Sequence, residues 1–146
     1  MKLTIAWIGK TKSSAIQSLT DEYIKRLRQF ADAEGVSAKD EATLLKMSGR
    51  DGRGARRVLA LFDSQGKQFS SEELAKFVRE KQDAAGPVVF GIGPADGFSQ
   101  SALKQADYVI SLGKMTLAHE LARVVVLEQL YRAFTILKGH PYHLGH

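Results

Sequence analysis

Apolar residues in this chain recur with two alternating periods. From Lys2 to Ile8, Leu3, Ile5 and Trp7 fall on one side of an extended segment and Thr4, Ala6 and Ile8 on the other. Both faces are therefore largely apolar, as in a strand covered on both sides. Ile16, Leu19, Tyr23, Leu27 and Phe30 then recur every three or four positions, with Lys25, Arg26 and Arg28 off the stripe, which predicts an amphipathic helix. Between Ala31 and Arg57 the rhythm weakens and glycine recurs, so only one short helix, Glu41 to Met47, is expected there, followed by a flexible turn. Beyond Arg57 the pattern becomes regular. Val58 to Phe62 reads as a strand, Asp63 to Gly66 as a turn, and Ser70-Ser-Glu-Glu73 as a capping box opening a helix with Leu74, Phe77 and Val78. Val88 to Ile92 reads as a buried strand, Ser99 to Ala106 as a short helix, Tyr108 to Leu112 as a strand, and Ala118 to Lys138 as a long, very apolar helix. Strands alternating with helices predict an α/β fold with a mainly parallel sheet covered by helices on both faces.

A chain of 146 residues suits a single domain, taken here as 1–146, with a core large enough to need no staples. Cysteine is absent, which excludes disulfides, thiolate metal sites and a cysteine nucleophile. The amino end is too briefly apolar for a signal sequence and no run is long enough to span a bilayer, so a soluble, cytoplasmic protein with no membrane partner is expected. A net charge of +5 fits a polyanionic partner, although clustering rather than net charge is what identifies one. The stretch Gly49 to Arg57 sets four arginines among three glycines. It is either a solvated loop or a set of cations that tracks phosphates.

Three loops follow three successive strands: Asp63 to Gly66, Gly93-Pro-Ala-Asp-Gly97, and Gly113-Lys-Met-Thr116. In a parallel sheet these emerge at the carboxyl ends, where ligands of α/β proteins bind, so all three can line one pocket; taken singly, each glycine is better explained as making a turn. None is the G-x-G-x-x-G fingerprint of a classical dinucleotide site. On the long helix, His119 and Arg123 share a face. Two readings are open for them: His119 held by a backbone carbonyl and Arg123 paired with an acid, or Arg123 meeting a phosphate or carboxylate beside the glycine loops. Glu128 and Arg132 read as an ordinary helix pair. The tail, His140-Pro-Tyr-His143-Leu-Gly-His146, carries an aromatic and imidazoles where tails are usually polar. Tyr142 suits stacking on a base, and His143 suits hydrogen bonding or proton transfer. With no carboxylate nearby in sequence, no metal is expected.

The stretches Ser111-Leu-Gly-Lys-Met-Thr-Leu-Ala-His119, Leu121-Ala-Arg-Val124, Glu128-Gln-Leu-Tyr-Arg-Ala133 and His140-Pro-Tyr-His143 resemble the ribosomal RNA large-subunit methyltransferase H family. Met1 to Gly9 and Asp63-x-x-Gly66-Lys67 fit as well. The resemblance implies a SPOUT-type α/β knot with a C-terminal trefoil knot, acting as a homodimer on the assembled ribosome. It implies that S-adenosylmethionine methylates N3 of a pseudouridine in large-subunit (23S) ribosomal RNA. Carried onto matching positions, it implies cofactor contacts at Phe62, Gly93, Pro94, Leu112, Gly113, Lys114, Met115, Thr116 and Leu117, and Arg123, Tyr142 and His143 at the reacting base. Where the family reads Ile-Gly-Gly this chain has Ile92-Gly93-Pro94, which lacks one backbone N–H. Phe62 stands at a usual leucine, and Leu144 follows the tail motif in place of a basic residue. These departures leave open a second reading, an RNA- or ribosome-binding protein of the same fold with weakened or lost catalysis.

Overall fold

The computed structural model describes residues 1–50, 52, 55–84 and 86–144. Asp51, Arg53 and Gly54 of the arginine–glycine stretch, Ala85, and Gly145 and His146 of the tail lie outside the described residues. Five strands, β1 (Lys2–Ile8), β2 (Asp32–Ala38), β3 (Val58–Gln68), β4 (Val88–Ile92) and β5 (Tyr108–Ser111), alternate with five helices, α1 (Ser14–Leu27), α2 (Glu41–Met47), α3 (Ser71–Asp83), α4 (Gln100–Gln105) and α5 (His119–Leu137). The strands form one sheet in the order β2-β1-β4-β3-β5, with every pairing parallel.

Side-chain alternation assigns the two faces of this sheet. Leu3, Ile5 and Trp7 of β1, Ala60 and Phe62 of β3 and Val88, Phe90 and Ile92 of β4 pack with residues of α1, α3 and α5 in the larger core. The opposite residues Ala6, Leu59, Leu61 and Val89 meet Leu44 of α2 and Phe98 and Ala102 beside and within α4. Helix α5 lies between α1 and α3, which is why it is apolar nearly all round; Phe134 stacks on Phe30 with ring centroids 5.6 Å apart. The expected capping box is present, Ser70 accepting from the Glu73 amide while the Glu73 carboxylate accepts from the Ser70 amide.

Two sequence expectations need correction. The segment Asp32–Ala38, expected to be irregular, is the edge strand β2. Only Ala33 and Ala38 of it are buried, and Gly35 lies so close to the Trp7 ring that a Cβ would approach it to 2.7 Å, so no large apolar period exists to be read. The residues expected to turn at Asp63 to Gly66 remain within β3, which shifts register and pairs Lys67 and Gln68 with Ile110 and Ser111 of β5. Their polar side chains conceal this, because the segment lies at the surface.

Candidate active site

The stretch of β3 where its register shifts and the carboxyl ends of β4 and β5 open into one cavity of about 280 Å³. Its walls are residues 62–65, 92–97 and 111–117 with His119, Ala122 and Val126 of α5. Phe62, Gly93, Pro94 and Leu112 through Leu117 all line it, so the loops after β4 and β5 selected from sequence are neighbours in space, and Asp63 to Gln65, expected as a third loop, meet them from within β3. Phe62 and Ile92 are buried and form its apolar floor, while Met115 is 88% exposed at its rim. Not singled out individually from sequence were Ser111, Ala122 and Val126, which carry no chemical signal beyond their place on β5 and α5.

Specific hydrogen bonds fix the loops. Asp63 Oδ1 accepts from the Gln65 amide at 3.0 Å and Oδ2 from the Phe98 amide at 3.0 Å, so one carboxylate ties β3 to the segment after β4. The Gly97 amide donates to the Pro94 carbonyl, and Gly97 has φ of 83°, a turn geometry that glycine adopts without strain. The buried Ser111 hydroxyl donates to the Gly113 carbonyl and accepts from its amide, which holds Gly113 at φ of 138°.

None of the three residues expected at the reacting base lines this cavity. Arg123 is 1% exposed. Its Nη1 donates to Thr11 at 3.1 Å, and its Nη2 donates to the carbonyls of Ile8 at 3.0 Å and Gly9 at 3.4 Å, with its guanidinium 5.8 Å from the Trp7 ring. Burial lowers its pKa, partly offset by nearby Glu120, which accepts from the amides of Lys12 and Ser13. Among the described residues no carboxylate lies within ion-pair distance of Arg123. The guanidinium joins the end of β1 to α5, because backbone carbonyls there accept what neither acid nor phosphate does.

The tail folds back on α5 and α3. Tyr142 donates to Glu128 Oε1 at 3.0 Å, packs edge-on against Tyr131 at 4.8 Å and lies beneath the Arg132 guanidinium at 5.0 Å. Burial, then its hydrogen bond with Tyr23, pushes its phenol well above the ordinary range. Arg132 donates through Nε to Glu128, so the helix pair expected from spacing also anchors the tail. His143 Nδ1 is 3.0 Å from Arg132 Nη1, and arginine can only donate. The imidazole therefore accepts at Nδ1 and donates from Nε2 to Glu72 Oε1 at 2.8 Å.

Comparison with known proteins fits this architecture. The family described as "Predicted SPOUT methyltransferase" matches residues 1–143. The chain is 56% identical over 147 residues to the ribosomal RNA large subunit methyltransferase H of Koribacter versatilis, covering 100% of both chains. It is 40% identical to the same-named protein of Geobacter metallireducens, over 98% of this chain and 99% of that one. Among solved structures, a probable methylase family protein from Haemophilus influenzae superposes with a TM-score of 0.59 at 15% identity, over 96% of this chain and 69% of that one. The SpoU methyltransferase AviRb from Streptomyces viridochromogenes in complex with the cofactor AdoMet gives 0.54 at 16% identity, over 90% of this chain and 57% of that one. These two likenesses establish the fold.

Proposed function

The chain belongs to the ribosomal RNA large subunit methyltransferase H family of SPOUT methyltransferases, and we propose that it transfers a methyl group from S-adenosylmethionine to N3 of a pseudouridine in 23S ribosomal RNA on the assembled ribosome. The observation that carries this reading is the one cavity shared by β3, where its register shifts, and the loops after β4 and β5. The reading includes a single domain over 1–146, a cytoplasmic location, a C-terminal trefoil knot and a homodimer. Support for the knot comes from membership of the SPOUT family. Support for the dimer comes from Leu19 and Leu121, 43% and 46% exposed on helices that pack side by side.

The cavity fits the cofactor in chemistry. Phe62, Ile92, Leu117 and Val126 offer an apolar bed for adenine, and Gly93 and Gly113 let a ligand approach the backbone closely. A Cβ at Gly93 would meet the Phe98 ring at 3.1 Å, so this close turn excludes larger residues. Pro94 offers no amide donor, and its carbonyl is engaged by Gly97; the wall there acts by shape. When bound, the cofactor supplies an electrophilic methyl on its sulfonium. The protein aligns the base nitrogen with that methyl and excludes water from the path.

Loss of the N3 proton needs an acceptor. As the tail is packed, His143 is engaged at both ring nitrogens, so it takes the proton only when the Arg132 contact opens; water is the other acceptor. Tyr142 and His143 hold the RNA near the cavity of the second copy, and Arg123 acts by positioning the end of β1. The test is to incubate ribosomes lacking the modification with protein and S-adenosylmethionine and to analyse the RNA by mass spectrometry. A single methyl on pseudouridine is expected, and an unmethylated base refutes the assignment. Pro94 and Leu144 favour a second reading, RNA binding without turnover, for which calorimetry would detect no cofactor binding even at millimolar concentration.

A further inference from the structure

At the other end of the sheet, Arg56, Arg57, Val58, Asp107 and Tyr108 line a cleft beside the amino ends of β3 and β5. Its charges divide into structural and available ones. Arg50 has a side chain only 2% exposed. It donates to the carbonyls of Gln105, Ser48 and Arg57 and to Asp107, whose Oδ2 also accepts from the Leu59 amide at 2.8 Å. Arg50 and Asp107 thus neutralise each other and lock the segment before β3 onto the end of α4. Arg56 is different: its side chain is 65% exposed and reaches Asp107 only at 3.7 Å. With the inner pair neutral, Arg56 and Arg57 are the surplus charge of the cleft.

Beside them stands an aromatic held rigidly yet left open. Tyr108 is 38% exposed. Its ring meets Phe77 edge-on at 4.8 Å, Lys81 Nζ lies 4.3 Å from its centroid, and the same ammonium hydrogen-bonds its hydroxyl. A fixed aromatic face among cations is what a single nucleic-acid strand requires, since every base has a face to stack and every nucleotide a phosphate to neutralise.

We propose that Arg56, Arg57 and Tyr108 form a second RNA contact, separate from the cavity, which takes a single strand by its phosphates and one stacked base. The inference rests on reading the chain as an RNA-acting enzyme, and it adds where the flanking strand goes. From Tyr108 to Ser111, which lines the cavity, the backbone of β5 rises about 10 Å at about 3.3 Å per residue. About three stacked nucleotides, at about 3.4 Å each, cover that distance. A base can therefore occupy the cavity while its neighbours are held at the cleft.

The test uses the whole protein in two assays: anisotropy of a fluorescein-labelled 20-nucleotide single-stranded RNA across a potassium chloride series, and methylation of ribosomes lacking the modification. The double substitution Arg56→Ala with Arg57→Ala should weaken RNA binding about tenfold or more and lower the salt slope by about two. KM for ribosomes should rise while kcat holds. Tyr108→Leu should weaken binding roughly fivefold or more, and Tyr108→Phe should match wild type. If Tyr108→Leu lowers the melting temperature, Arg56 and Arg57 carry the test alone. Unchanged affinity and slope in the double variant overturn the proposal. An equal loss from the distant pair Lys25→Ala with Lys39→Ala also overturns it, because net charge alone would then explain the effect. A wild type that transfers no methyl yet binds RNA through Arg56 and Arg57 sinks the enzyme reading and upholds this surface. Methylation that is identical in the double variant does the reverse.

Discussion

A Cβ added at Gly66 would lie 2.5 Å from the carbonyl carbon of Val109 and 2.6 Å from its oxygen. The φ of Gly66 is not positive, so the requirement is for space alone, and the obstacle is a strand backbone that cannot rotate away. Gly66→Ala should cost about 3 kcal/mol, read as a lower urea midpoint, whereas Gly86→Ala, with open space around it, should stay within about 0.5 kcal/mol. A Gly66→Ala protein as stable as wild type would mean that β3 passes β5 less tightly than described. Arg123 poses a different problem, a buried cation satisfied by Ile8, Gly9 and Thr11. Arg123→Ala removes these bonds and the packing on Trp7, and should cost about 3 kcal/mol. Arg123→Lys keeps the charge without the fork, so its unfolding midpoint should fall between the two. Equal midpoints for Arg123→Ala and wild type would return this residue to an RNA-facing role.

Asp107 links elements, joining the start of β5 to β3 through the Leu59 amide and to the segment after α2 through Arg50. Burial pushes its carboxyl upward, but the Leu59 amide and then Arg50 outweigh burial and hold it below the ordinary aspartate value of 3.8. A folded pKa below the unfolded one stabilises the protein above the unfolded pKa, and this contribution disappears as pH falls through the folded value. Asp107→Asn should therefore cost about 2 kcal/mol at pH 7, with the gap to wild type closing below about pH 4 in chemical denaturation. A gap constant down to pH 2 would contradict the depressed pKa. Asp107 was invisible in the sequence because its partner Arg50 is 57 residues away. Legibility followed the same rule elsewhere. α2, α3 and β4 were readable from local period and capping, and the cavity loops after β4 and β5 from their places after successive strands. β2 was hidden because Ala33, Gly35 and Ala38 are small for close packing, and the end of β3 because its pairing to β5 is long-range and its side chains are polar. The site resolved in the same way: backbone-lined loops could be placed by topology, whereas the partners of Arg123 and His143 depended on how α5 docks.

At the scale of the molecule, the cavity and the tail lie apart within one chain: Tyr142 and His143 are fastened to Glu128, Arg132 and Glu72, and none of these lines the cavity. A reaction that needs both requires either a tail that swings or a second copy that brings its tail alongside. The proposed homodimer supplies the second solution without breaking the tail's hydrogen bonds. Leu19 and Leu121 are large apolar side chains left about half exposed, each on the first half of its helix, and they are suited to burial against a copy. In a twofold interface every substitution counts twice. Leu121→Asp should weaken association by about 3 kcal/mol or more, roughly 100-fold, because it buries two carboxylates without partners. Sedimentation at micromolar concentration should then show a monomer with an unchanged melting profile at low protein concentration, and methylation should fall at least about tenfold. A monomeric Leu121→Asp protein that methylates at the wild-type rate would place the whole reaction within one chain, and the tail would then have to open from Arg132 to reach the base.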